Sequence, residues 1–210
     1  MKIAHIITRL IVGGAQENTI FTVEGLARKG HQVVLFSGPT TGPEGSLEER
    51  VTVQSKVSLI RVKHLVRNVN PVADLLALRK LAFLLGRGRY EIVHTHSAKA
   101  GILGRLAAAM AVPGAVVIHT VHGPSFYPYQ PRLLRWLYTL AEKIAGYFTD
   151  YFICVGEVMK ETYLKAGIGR PSRYRVIYSG FDLLPYQKDR GRRLALRQRL
   201  GIRENERVSV

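Results

Sequence analysis

Val116-Val117-Ile118-His119-Thr120-Val121-His122-Gly123 is the stretch whose reading decides the fold. Successive β-branched residues are stiff about χ1, and such an apolar run reads as a strand buried on both faces, as inside a parallel sheet. Gly123 and Pro124 end the run, which places His122 where strand gives way to loop. Ile92-Val93-His94-Thr95-His96 repeats the pattern upstream, and the first apolar run, Ile3 to Thr8, leads toward Gly13-Gly14. In open α/β sheets, ligands collect beyond the carboxyl ends of the strands. These strand ends therefore deliver histidines and glycines to one edge, the predicted working face.

Around these runs the chain alternates strand and helix. Lys2 to Thr8 is predicted as a strand, Ala15 to Lys29 as a helix stopped by Gly30, and His31 to Ser37 as the next strand. Gly38 to Arg50, rich in Gly, Pro and Glu, reads as a mobile surface loop, and Val57 to Val62 as a third strand. Asn70-Pro71 supplies an N-cap and a proline at the first position of a helix ending near Leu85, at Gly86-Arg87-Gly88. Glu91 to Thr95 is a strand, and Ser97 is the expected N-cap of an alanine-rich helix ending near Met110. Helices from Pro131 to Tyr147 and from Glu157 to Ala166 alternate with strands Tyr151 to Val155 and Tyr174 to Tyr178. The alternation predicts an α/β fold: a Rossmann-like, doubly wound, mainly parallel sheet covered on both faces.

The 210 residues suffice for one sizeable α/β core. Cys154 is the single cysteine, so no intrachain disulfide forms, and its apolar surroundings mark it as a core residue of a reducing compartment. His5 and Arg9 interrupt what would be the apolar region of a signal peptide, and no window reaches the roughly 18 apolar residues of a membrane span. A cytoplasmic chain is expected. The formal charge of +16 attracts anions: nucleic acid, phosphorylated small molecules or an anionic membrane leaflet. It does not choose among them.

Gly13-Gly14-Ala15-Gln16 followed by Gly30-His31-Gln32-Val33 resembles the start of the family 4 glycosyltransferases of the GT-B fold. The stretch from His94 to Gly101, the Thr120-Val121-His122-Gly123 turn and the run Val176 to Asp182 resemble the same family, in its order and across essentially the whole chain. The likeness is particularly to members that build cell-surface polysaccharide. It implies two Rossmann-like domains with the active site between them, the N-terminal one receiving the acceptor and the C-terminal one most of the nucleotide-sugar. Residues 1–182 correspond to the N-terminal domain, and residues 183–210 to a hinge and the beginning of a truncated C-terminal domain, with Arg193 to Val210 resembling its first helix and strand. Half an active site is therefore expected, turning over slowly or not at all alone. Gln16 stands where many members carry Glu, and Gly156 where a Ser commonly caps a helix.

Gly13 and Gly14 precede a helix, and their spacing leaves a tight turn and a phosphate cradle both open. The resemblance favours contact with the donor diphosphate or the acceptor, and it brings Gly123 in with them. His122 is the leading catalytic candidate, since an imidazole can exchange a proton with an acceptor hydroxyl or hydrogen-bond a sugar. Because the family retains anomeric configuration, His122 is expected to position sugar rather than act alone as a base. His94 and His96 are expected on opposite faces of their strand, which would prevent a shared metal. His96 is assigned to the acceptor, while His94 and His119 are read as structural. Lys99 is placed to meet an acceptor phosphate, and Arg105 on a solvated face.

No metal and no cofactor are expected, the nucleotide-sugar being a substrate. The expected partners are that donor, a glycan or polyprenyl-linked acceptor, a C-terminal GT-B domain in cis or trans, and an anionic membrane surface. The membrane enters through Arg132, Arg135 and Trp136, which suit a helix lying on lipid as well as one packed on the sheet. The rivals are a basic nucleic-acid-binding module, against which the absence of a recognised motif counts, and a non-catalytic regulatory half.

Overall fold

Along β1 (Lys2–Ile7) the side chains alternate between two different cores. Ala4 and Ile6 pack with Ala77, Leu81 and Leu85 of α3 (Pro71–Gly88) and with Ala100, Ala107 and Ala108 of α4 (Ala98–Ala111). Ile7 packs the other way, against Ile20 and Val23 of α1 (Gly14–Arg28). Both faces of the central strands are therefore covered, as their unbroken apolar runs require.

The computed structural model describes residues 1–54, 57–181, 183, 190–203 and 205–208. β1 is joined by β2 (Gln32–Ser37), β3 (Ser58–Arg61), β4 (Ile92–His96), β5 (Val116–Val121), β6 (Tyr151–Cys154) and β7 (Tyr174–Val176). They form one sheet in the order β3-β2-β1-β4-β5-β6-β7, and every pairing is parallel. The Rossmann-like α/β class holds. From β1 the chain first builds outward through β2 and β3, then returns to lay β4 on β1's other side. The topological switch point, where α/β sheets bind ligands, is therefore between β1 and β4.

Several boundaries differ from expectation for identifiable reasons. Residues 48–50 belong not to a loop but to α2 (Glu48–Gln54), whose Val51 is buried in the core. α3 runs through Gly86-Arg87-Gly88 and stops only when Arg89 turns left-handed at φ 50°. α5 (Arg132–Tyr147) and α6 (Glu157–Lys165) stand where predicted, and Gly156 starts α6 with no side-chain cap. Cys154 is buried as expected, and burial pushes its thiol up to about 12.

Met1–Ser179 is one compact unit and Gly180–Val210 another. The second contains α7 (Arg190–Arg199), where the Arg197 guanidinium donates to the carbonyls of Arg203 and Glu206. Asp182 and residues 209–210, to which part of the hinge and the expected strand were assigned, lie outside the described residues.

Candidate active site

The switch point is held by hydroxyls. Thr8, just past β1, accepts the Ala100 N–H on Oγ1 at 3.2 Å, and its Oγ1 lies 2.7 Å from Ser97 Oγ. Ser97 holds the N-cap position of α4 but makes no capping bond. Its predicted role is corrected: the cap comes across the sheet from Thr8, and Ser97 takes φ 61° at the mouth of the site. A non-glycine residue held there is strain that the surrounding bonds must maintain.

Beside this turn lies a cluster of histidines on one face. His94 and His96 are not on opposite faces, as expected, but have ring centroids 4.3 Å apart. Two residues along a strand is one full period, so the side chains return to the same side. His5 joins them because β1 pairs with β4 in the register His5↔His94. Candidate metal-ligating atoms of His5, His94 and His96 lie within 4.8 Å of one another. His122, at the end of β5, extends the cluster to the open edge.

Hydrogen-bond contacts link the cluster, with donor and acceptor set by the tautomer of each ring. His5 Nδ1 lies 3.0 Å from His96 Nε2, and His96 Nδ1 lies 3.3 Å from His122 Nε2. His94 Nε2 lies 2.7 Å from Thr120 Oγ1. His119 faces the opposite side, where its Nδ1 donates to the Thr95 carbonyl at 3.2 Å and its ring meets Phe152 edge-on. His94 and His119 thus have the hydrogen-bonded surroundings of structural residues. Burial lowers every imidazole here: His5 to about 3, His122 to about 4, and His94, His96 and His119 well below the ordinary range. His96, assigned to the acceptor, is placed by the structure in the interior of the cluster. Both its nitrogens are committed and it is buried, so it stands behind His122.

A cavity of about 700 Å³ opens next to the switch point. Thr8, Ser97, Pro124, Ser125 and Tyr127 form its inner wall, and Ile102, Leu103, Leu134, Leu137 and Tyr138 of α4 and α5 form an apolar side. Arg9, Arg67 and Lys99 bring positive charge to the same space. Lys99 stands where expected, but it is not a free cation: its ammonium pairs with Asp74 at 2.6 Å and donates to the Asn68 carbonyl. Sequence reasoning missed Thr8, Arg9, Arg67 and Tyr127, whose signal was only their place just beyond strands or in loops.

Gly13 is the N-cap of α1, with the Glu17 N–H returning to its carbonyl at 2.9 Å. At Gly14 the backbone φ is not left-handed and an added Cβ would meet nothing within 4 Å. Neither strain nor packing by the described residues demands glycine there; what it leaves is open space before the first turn of α1. At Gly123 an added Cβ would meet the Tyr127 hydroxyl at an ordinary 3.5 Å.

Arg105 overturns its expected place on a solvated face, because α4 is covered there by α5. It is fully buried and pairs with Glu142 at 2.6 Å, while its Nε donates to the Gly101 carbonyl at 2.8 Å. Glu142 also accepts from Ser125 and Tyr163, at 3.1 and 3.4 Å, which ties the loop after His122 to α5. Turned inward by this pair, α5 buries Glu142, Ala145 and Gly146 and leaves Leu133, Trp136, Leu137, Leu140 and Ile144 exposed. The apolar stripe faces outward.

A parallel sheet with histidines and glycines at its carboxyl edge, beside a cationic and apolar cavity, is the arrangement in which α/β proteins bind ligands at a topological switch point. The Glycosyltransferase Family 4 model matches residues 12–183, and the chain belongs to that family. It is 34% identical over 187 residues to the UDP-Gal:α-D-GlcNAc-diphosphoundecaprenol α-1,3-galactosyltransferase of Escherichia coli, covering 87% of this chain and 46% of that protein. The chain thus spans about half the length of this curated relative. Among solved structures, the Anabaena protein HepE in complex with UDP-glucose superposes with a TM-score of 0.71 at 20% identity, covering 100% of this chain and 54% of that one. A glycosyltransferase from Rickettsia africae gives 0.71 at 19%, covering 97% and 50%. These likenesses establish the fold as half of a GT-B architecture.

Proposed function

We propose that the chain is the acceptor-side half of a retaining glycosyltransferase that moves a sugar from a nucleotide-sugar to a lipid-linked acceptor. The carrying observation is the cavity, which joins apolar walls on α4 and α5 to Arg9, Arg67 and Lys99. An acceptor with a diphosphate between sugar and prenyl chain presents that same sequence of charge and grease. The E. coli relative acts on such a molecule by name, which supports the reading.

The chemistry follows from the edge. The acceptor lies in the cavity, whose wall includes Pro124, two residues beyond His122. The donor diphosphate approaches Gly13-Gly14 and the first turn of α1, where N–H groups and the helix dipole favour anions. A second Rossmann-like domain, in cis or in trans, supplies the remaining donor contacts. His122, held near 4, is a weak base at neutral pH. It is ill suited to the deprotonation an inverting displacement needs, and well suited to hydrogen-bonding sugar or phosphate oxygens. Retention is the course that the family resemblance implies. The outward stripe of α5, flanked by exposed Arg132, Arg135 and Lys143, sets this half on an anionic membrane where the acceptor resides.

The test supplies the donor-side domain in cis or in trans, with radiolabelled UDP-hexose and a polyprenyl-diphosphate-linked sugar. Label should enter the lipid phase, and the product should keep the donor's anomeric configuration by NMR. His122→Ala should slow transfer on the order of a hundredfold or more, the usual cost of removing one donor to developing charge. No transfer from any nucleotide-sugar, or an inverted product, would overturn the reading.

A further inference from the structure

His5, His96 and His122 form a line, and its geometry is more specific than proximity. The ring centroids of His5 and His96 are 5.3 Å apart with nitrogens 3.0 Å apart, and the planes differ by 15°. For His96 and His122 the centroids are 5.6 Å apart, the nitrogens 3.3 Å and the planes 30° apart. In both pairs the centroid distance exceeds the nitrogen distance by the reach of two rings. The rings therefore meet nitrogen to nitrogen along their edges, not face to face. A metal shared by His5, His94 and His96 would need lone pairs converging on a third point, whereas those of His5 Nδ1 and His96 Nε2 are aimed at each other.

Each such contact needs one N–H and one lone pair, and a neutral imidazole carries a single N–H. A neutral row of imidazoles thus has only two consistent arrangements, with every proton pointing outward or every proton pointing inward. The buried end decides between them. His5 Nε2 is buried without a hydrogen-bond partner among the described residues. With protons inward it would be an orphaned N–H, the rarer kind of buried unsatisfied group; with protons outward it is a bare lone pair, which is better tolerated.

We propose that His5 and His96 are positioning residues that lock His122 in the tautomer carrying its proton on Nδ1, so that His122 meets its ligand as a hydrogen-bond donor. Its use rests on the transferase reading of His122; the tautomer does not. His5 donates from Nδ1 to His96, His96 donates from Nδ1 to His122 Nε2, and the remaining N–H of His122 is presented at the partly exposed strand end. Burial keeps the row neutral, which preserves the alternation of donor and acceptor. A ligand oxygen with a lone pair, on a sugar hydroxyl or a phosphate, is the group such a histidine selects.

The test is long-range proton–nitrogen NMR on the protein labelled with nitrogen-enriched histidine, at neutral pH without ligand. His122 should show a protonated Nδ1 and a bare Nε2, the reverse of the tautomer free histidine favours in water. His5→Asp places an acceptor-only oxygen where Nδ1 stood and should reverse the row, moving the proton of His122 to Nε2 two residues away. His96→Asp should do the same at shorter range. A bare Nδ1 at His122 in the unaltered protein overturns the proposal, and so does zinc co-purifying in stoichiometric amount. In folded His5→Asp with His96 seen by the same NMR to carry a single proton, a reversal that fails to reach His122 also overturns it. Should the variants not fold, the unaltered protein alone decides. No transfer is read here, so failure of the transferase reading would leave this result standing, and the converse.

Discussion

Arg105 and Glu142 form the most consequential pair in the chain. Both are fully buried, so each depends on the other to offset the loss of water. Arg105→Ala should destabilise the fold by about 3–5 kcal/mol, because an uncompensated carboxylate remains. Equilibrium denaturation measures this directly, and a loss below about 1 kcal/mol would show that water reaches Glu142. The histidines make a second prediction. Imidazoles held neutral by burial bind fewer protons folded than unfolded, so stability is full above about pH 6.5 and falls with pH toward the folded values of about 3 to 4. His5 alone should cost about 2 kcal/mol between pH 6.5 and 4.5. Melting temperature across that range should drop, and a flat profile would mean the row is hydrated.

At the scale of elements, α4 organises the site through residues that are small. A Cβ on Gly104 would lie 2.8 Å from Thr95 Cγ2 and 2.9 Å from Ile6 Cδ1, and one on Gly101 would lie 2.5 Å from His119 Cε1. Glycine there lets the helix sit against β1, β4 and β5 closely enough for Thr8 to cap it. Gly104→Ala gains helix propensity but forces a shift, and a net loss of about 1–3 kcal/mol is expected by thermal or chemical denaturation. α5 shows the opposite economy. Leu133 is 69% exposed and Trp136 59%, while the charged Glu142 is buried. If α5 lies on lipid as proposed, Trp136 fluorescence should shift to the blue on anionic vesicles, and binding should weaken with salt. Leu133→Glu should reduce that binding several-fold with the melting temperature unchanged; undiminished binding would sink the membrane role.

For the whole molecule, the apolar runs were enough to predict a parallel α/β sheet and to put His122 at its edge. Period and punctuation are local properties, and β-branched residues followed by Gly and Pro express them without tertiary help. Cys154 in the core and Asn70 capping α3 were legible for the same reason. Arg105 was not, because what covers a helix face is set by another helix far along the chain. The meeting of His5 with His94 and His96 was not, because it depends on β1 pairing β4 in one register, across the switch point. Local pattern thus carried the sheet class, the family and most of the elements, though not α2. The three-dimensional fold settled which histidines adjoin, which arginine is buried and which face of α5 looks outward, since each is a contact between segments whose separation no local propensity encodes.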